Sequence, residues 1–195
     1  MKIRIIILLA FNLFFTASKA QVINNAAYYK GSSVVSVGYG IGNIWKTFLN
    51  DAVNSTIPGI TYKVTAFGPI ALNYEYGFLN RFSGGITFAY SKVKGVYSGF
   101  GDSFTDELKI TTILARANYH FGKSAKFDPY IGGGMGYVKS KYNNDQSASR
   151  NDVPGLLGYS AQLGGRYYFT PVLGTYAEIG YVNGSFVQVG LTARF

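Results

Sequence analysis

The chain closes on Gln188-Val189-Gly190-Leu191-Thr192-Ala193-Arg194-Phe195, where Val189, Leu191, Ala193 and Phe195 alternate with Gln188, Gly190, Thr192 and Arg194. Successive side chains of a strand point to opposite faces, so this stretch reads as a strand with one apolar and one polar face. An aromatic at its tip suits a membrane–water interface, and a strand left unpaired at an edge is a liability. The reading therefore predicts a last strand that pairs with the first.

The same period of two recurs upstream, at about 32–41, 62–78, 82–98, 106–121, 129–142, 157–169, 173–182 and 185–195. In the second segment Ile70, Leu72, Tyr74, Tyr76 and Phe78 share one face and Ala71, Asn73, Glu75 and Gly77 the other. In the fourth, Ile113, Ala115, Ala117, Tyr119 and Phe121 oppose Arg116, Asn118 and His120. The predicted fold class is all-β, an eight-stranded antiparallel up-and-down transmembrane β-barrel.

Composition agrees. Tyr (17), Phe (15) and Gly (25) are abundant, which favours pleated surfaces over helices. Residues 1–20 join a basic start (Lys2, Arg4) to an apolar run and end in Ser18-Lys19-Ala20, the pattern of a cleaved signal peptide. The mature chain is expected to start at Gln21 and to form one barrel domain over 21–195. No Cys is present, so neither a lipoprotein anchor nor a disulfide framework is available. The net charge of +9 falls when the leader leaves. The remaining basic residues read as scattered through loops, and nucleic acid is not an expected partner. Attraction to anionic lipopolysaccharide is the expected use of that charge.

A soluble barrel would also have two-faced strands, but its solvated face would carry many Lys and Glu. Here the polar face of the strand centres shows small residues, amides and the few charges Glu75, Arg116, Arg166, Glu178 and Arg194. That composition predicts an enclosed interior. The apolar face ends in aromatics, Phe78, Phe82, Tyr119, Phe121, Tyr167, Phe169 and Phe195 at one rim and Tyr39, Tyr90, Tyr137, Tyr159 and Tyr181 at the other. Two such girdles mark a lipid-facing band. Short joints near 79–81, 122–128 and 170–172 alternate with longer connections at about 42–61, 99–105 and 143–156 and a tight turn at 182–184. This alternation places both termini in the periplasm and the long loops outside.

With these features the chain resembles the small eight-stranded outer-membrane β-barrel proteins of Gram-negative bacteria, related in form to the OmpA transmembrane domain and the OmpW-like proteins. The resemblance spans nearly all of the mature chain. Its most specific element is the C-terminal assembly signal, matched by Gln188, Gly190, Ala193 and Phe195, with Ala193 smaller than the usual hydrophobic residue. The resemblance implies insertion by the outer-membrane assembly machinery and a barrel-only protein. Periplasmic chaperones, outer-membrane lipid and lipopolysaccharide are the expected partners, and the barrel is expected to be a monomer.

Eight strands leave an interior that side chains can fill. Charges inside it are expected to pair, Glu178 with Arg166 and Arg194 on its neighbouring strands and Glu75 with Arg116 across the lumen. The expected role is structural or related to permeability, the lumen ion pairs closing the barrel. One alternative is a narrow path for small solutes in which the pairs exchange. An OmpW-like route for hydrophobic molecules would need an apolar inner wall, for which Leu114 and Phe186 are the large inward candidates.

A second class is a surface-binding or adhesion protein. Its best residues lie in the first loop, where Trp45 and Phe48, with Ile44 and Leu49, are spaced for a short amphipathic helix. Trp45 reads either as an interface anchor or as a ligand contact. Catalysis is the third class, because some small outer-membrane barrels modify lipid A. The single His, His120, points inward at the periplasmic end, the wrong side for outer-leaflet lipid. No His pair offers a metal site, and Asp106-Glu107 has no base partner. The glycines from Gly132 to Gly136 lie inside a strand and make no nucleotide fingerprint. No enzyme activity, cofactor or metal is expected.

Overall fold

The computed structural model describes residues 26–53, 61–99, 102–145 and 147–195. The expected leader, 1–20, and the expected start at Gln21 lie outside these residues. The strands β1 (Ser33–Asn43), β2 (Thr61–Gly77), β3 (Phe82–Gly99), β4 (Asp102–His120), β5 (Phe127–Asn144), β6 (Ser147–Tyr168), β7 (Leu173–Val182) and β8 (Ser185–Arg194) form a closed barrel, with one helix, α1 (Ile44–Val53), after β1. Every pairing is antiparallel, and β8 returns to β1 with Ala193 opposite Val35. Backbone bonds of 3.0 and 2.8 Å exchanged between Ser33 and Phe195 complete the seam, so the barrel has no open edge along that seam.

Local chemistry explains the turns. Asn183 (φ 53°) and Gly184 (φ 87°) form the two-residue joint between β7 and β8, the left-handed pair that matches strand twist in a tight hairpin. Gly42 (φ 74°) bends the end of β1 and turns Asn43 inward. The Asn43 side chain then accepts a 3.1 Å bond from the Lys46 amide and caps α1. Its amide also donates to the Gly68 carbonyl and to Ser91 at 2.9 and 2.8 Å, tying the helix to the barrel.

The strands differ in height. β7, β8 and β1 have 10, 10 and 11 residues, about what a tilted strand needs to cross a bilayer. β2 to β6 run to 17, 18, 19, 18 and 22 residues, so one wall stands well above the other on the side away from the termini. The segment 143–156, expected as a polar loop, is mostly strand: Ser140 pairs with Val153 and Lys141 with Asp152. Likewise β4 begins at Asp102 rather than 106. Above the membrane band lipid no longer imposes an apolar outer face, so the period-two signal that marks a strand fades there while the backbone pairing continues.

The outward face is apolar across the middle of every strand and stays uncovered, as at Leu72, Ile86, Ile113, Ile131, Leu163, Ile179 and Leu191. Phe78, Phe82, Phe121, Tyr167 and Phe169 fringe it on the side of the termini, and Tyr39, Tyr137 and Tyr159 on the other. Lys30, Lys123 and Lys126 lie in connections, but five other lysines are not scattered through loops. Lys92, Lys94, Lys109, Lys139 and Lys141 lie on β3, β4 and β5 at facing positions, just above the apolar band. The spacing along each strand is regular, but only the register shows that the three strands bring these residues together.

The inner face has two halves. Towards the termini it is polar and charged. Towards the loops Val93, Ile110, Leu114 and Val64 are buried, more apolar wall than sequence reading assigned. Phe186 is not part of it: it is 56% exposed and packs beside Gly42, whose positive φ bends the end of β1 where it pairs with the start of β8.

Candidate functional site: the charged lumen

Inward parity on β2, β4, β5, β6 and β7 brings Glu75, Arg116, Asp128, Arg166 and Glu178 into the lumen, all buried. Arg166 reaches across the barrel from β6 to β2, its guanidinium 2.5 and 3.0 Å from the two oxygens of Glu75, a bidentate pair. The same group donates to Asp128 Oδ2 at 3.1 Å and lies over the Tyr130 ring at 4.4 Å. Arg116 donates to Glu178 Oε1 at 2.6 Å, and the Tyr130 hydroxyl donates to the same oxygen at 2.7 Å. Neighbouring polar side chains extend the network. Asn118 donates to Glu75 at 2.6 Å, Gln162 donates to Asn118 at 3.1 Å, and Thr87 donates to Asn73 at 2.6 Å.

The partners differ from those expected. Glu178 takes Arg116, not Arg166 or Arg194, and Glu75 takes Arg166, not Arg116. Register supplies the reason. Glu178 faces Gly164 and Gln188 on its neighbouring strands, and Arg194 lies roughly 20 Å along β8 from Gln188 at about 3.3 Å per residue. Glu75 and Arg116 share one cross-strand row through Gly85, but strand tilt makes such a row climb around a barrel, so Arg116 ends a level above Glu75 and beside Glu178.

Arg194 has no carboxylate partner among the described residues. It donates to the carbonyls of Ala26, Ala27 and Pro171 and stacks on Tyr168 at 4.3 Å, holding the N-terminal segment against the mouth of the barrel. Tyr28 inserts beside it. Its ring stacks on His120 at 3.6 Å, and its hydroxyl donates to the carbonyls of Leu79 and Phe82 at 2.9 and 2.6 Å. Burial, then the charges of Glu75 and Asp128, raises its phenol well above the ordinary value, so it remains a neutral donor.

His120 shares Nδ1 with Asp128 at 2.8 Å and Nε2 with Ser83 at 2.9 Å; Glu75 also lies 3.2 Å from Nε2. Ser83, His120 and Asp128 thus stand in the order of a nucleophile, base and orienting acid. All three are enclosed, at 0, 2 and 1% exposure, beneath Tyr28. Asp128 and Ser83 were missed in the sequence. Asp128 falls at the position facing Arg166, and extending the fifth segment to Phe127 reveals its inward parity.

Small residues provide clearance. A side chain at Gly164 would overlap Tyr130, and one at Gly38 would overlap the Tyr176 hydroxyl, so both tyrosines cross the lumen only because those positions are glycine. Of the assembly-signal residues, Gln188 is fully buried and accepts from Asn183 at 3.3 Å. Gly190 faces Gly38, and Ala193 and Phe195 face lipid-side positions along the seam with β1.

On the loop side, Trp45 packs over Gly184 and lines a cavity of about 200 Å³ with Thr112, Leu156, Tyr159, Tyr181 and Asn183. The cavity sits where β6 rises above its last pairing with β7, Ala161 with Tyr181. Phe48 belongs to α1, but its side chain lies outside the described residues.

A closed sheet with an uncovered apolar belt outside and a charged, packed interior is the reverse of a soluble barrel. The chain has the fold of a small eight-stranded outer-membrane barrel. No family model matches it. The barrel is similar to outer membrane protein PagN of Salmonella typhimurium, 28% identical over 184 residues that cover 82% of this chain and 73% of the relative. Among solved structures it is similar to Escherichia coli outer membrane protein W (16% identity, TM-score 0.49, 86% of this chain and 100% of that one). It is also similar to Yersinia pestis attachment invasion locus protein Ail, seen with the heparin analogue sucrose octasulfate (18% identity, TM-score 0.46, 85% and 99%).

Proposed function

We propose that this protein is an integral barrel of the bacterial outer membrane with a structural role, its lumen sealed on the side of the termini. The observation that carries this reading is the pair of charge-assisted contacts across the lumen, Arg166 with Glu75 and Arg116 with Glu178. Each is supported by further donors, so no ion in the network is stranded. In this reading the termini lie in the periplasm, the helix and tall strands outside, and the apolar belt in lipid. Insertion by the assembly machinery, with periplasmic chaperones, uses Gln188, Gly190, Ala193 and Phe195, and the barrel is a monomer.

The reading is non-enzymatic. The enclosure of Ser83 and His120 supports it, since a substrate has no path to the hydroxyl while Tyr28 covers the imidazole. A second reading, a loop-side binding surface, is favoured by the cavity beside Trp45, which opens at the step between β6 and β7.

Liposome swelling tests the sealed lumen. Vesicles carrying the refolded, heat-modifiable barrel are expected to keep their volume in small sugars and amino acids as empty vesicles do. Swelling in proportion to the amount of folded barrel would show that solutes pass.

A further inference from the structure

The lysines on β3 to β5 form a grid. Across the strands Tyr90 faces Thr111 and Thr111 faces Lys139; one step higher, Lys92, Lys109 and Lys141 stand in line; one step higher again, Lys94 faces Glu107 and Glu107 faces Asn143. The row immediately below is Phe88, Ile113 and Tyr137, the upper limit of the apolar belt. All these positions share outward parity, so the grid is on the outer wall and not in the mouth of the barrel. Neighbouring strands are about 4.8 Å apart and alternate residues of one strand about 6.8 Å, so the ammonium groups crowd into a small area, with Glu107 among them and Asp152 of β6 at the position facing Lys141. Glu107 bonds Lys92 at 2.6 Å and Lys109 at 2.8 Å and reduces the repulsion. Lys94, Lys139 and Lys141 are exposed around it. The short strands β7, β8 and β1 carry no lysine on this level among the described residues, so the charge is confined to the tall wall.

We infer that this grid is a binding site for the phosphate groups of the phosphorylated glycolipid of the outer leaflet. The inference rests on the membrane orientation proposed above and names the residues through which the barrel meets that lipid. Position selects the occupant. A group directly above a lipid-facing row, on the outside of the wall, meets the headgroups of molecules whose acyl chains lie against Phe88, Ile113 and Tyr137. Lysines are point charges suited to phosphate, and burying a headgroup between them while its chains cover the apolar row satisfies both faces of one lipid. A soluble sulfated polysaccharide would use the charge but not the apolar row.

The test uses the mature chain refolded in phosphatidylcholine vesicles containing either bisphosphorylated lipid A or the same lipid A with its phosphates removed. Heat-modifiable migration reports the barrel, and lipid A retained after detergent extraction reports the site. Wild type is expected to retain the phosphorylated form in preference to the other. A K94Q/K139Q/K141Q variant should retain it about 100-fold more weakly, at the strength typical of basic residues near an anionic surface. A K30Q/K123Q/K126Q variant, equal in charge loss but on the side of the termini, should match wild type. Equal retention of both lipids by wild type, or equal loss in the two variants, would overturn the assignment. So would tighter binding of heparin fragments than of lipid A by the same lysines, which would give the grid to a polysaccharide. Absence of the heat-modifiable form in every vesicle would overturn the membrane reading and the site with it, and is visible separately from lipid retention.

Discussion

The two halves of the lumen are built on opposite principles. Towards the termini, Glu75, Asp128, Arg166 and His120 interlock through bonds of 2.5 to 3.2 Å. Towards the loops, Val93, Ile110 and Leu114 are packed with almost no exposure. An ionic half is cooperative, because removing one member strands the others in a medium that cannot solvate them. An apolar half fails locally, by the volume of the group removed. The difference teaches which half seals the barrel: charges that cross the lumen fix opposite walls to one another, whereas apolar contacts fill the space between neighbours.

The sharpest way to break this contrast is Arg166→Ala, which leaves both Glu75 and Asp128 without their guanidinium. It is expected to cost close to the top of the roughly 3–5 kcal/mol range for breaking a buried pair, read by urea unfolding in lipid vesicles. Adding Glu75→Ala should cost much less than the sum of the two single changes, and strict additivity would show that the pair does not act as a unit. Glu178→Ala comes next at about 3 kcal/mol, and it should strand Arg116 while leaving the Arg166 side intact.

Leu114→Ala, in the other half, is expected to cost about 2–3 kcal/mol and to add independently to Arg166→Ala; coupling between the two would mean the halves are not separate. Arg194→Ala should cost about 1–2 kcal/mol through its lost carbonyl contacts, with limited proteolysis showing earlier cleavage near Ala26.

The smallest expected effect lies outside the lumen. The bonds from Lys109 and Lys92 hold the Glu107 carboxyl below its ordinary value of 4.5, with burial opposing them. Because the folded value is lowered, the contribution is complete above about pH 4.5 and is lost as pH falls through the lowered value. Glu107→Gln should remove it at neutral pH for less than about 1 kcal/mol, and stability measured against pH should then lose its step in that acid range.

The barrel was legible because alternation of large apolar with small or polar residues is imposed by lipid on one side and enclosure on the other. The same logic identified Glu75, Arg116, Arg166 and Glu178 as lumen residues. Their partners were not legible, since pairing across a barrel depends on tilt and shear, which no single strand encodes. Asp128 escaped notice because it sits at a strand start, and the upper hairpin of β5 and β6 because it leaves the membrane that writes the pattern. Arg194 looked like another lumen charge, yet its partners are carbonyls of a segment far away in sequence. The lysine grid was hidden for the same reason as the ion pairs: β3 and β5 each show two lysines at alternate positions and β4 only one, and register alone assembles them.

Single-channel recording in a planar bilayer tests the sealed lumen most directly, with wild type beside Arg166→Ala and heat-modifiable migration confirming that both are folded. A silent wild type and discrete openings in the variant are the expected result. Steady conductance through folded wild type, unchanged when Arg166 is removed, would contradict the claim that charges crossing the lumen close this barrel.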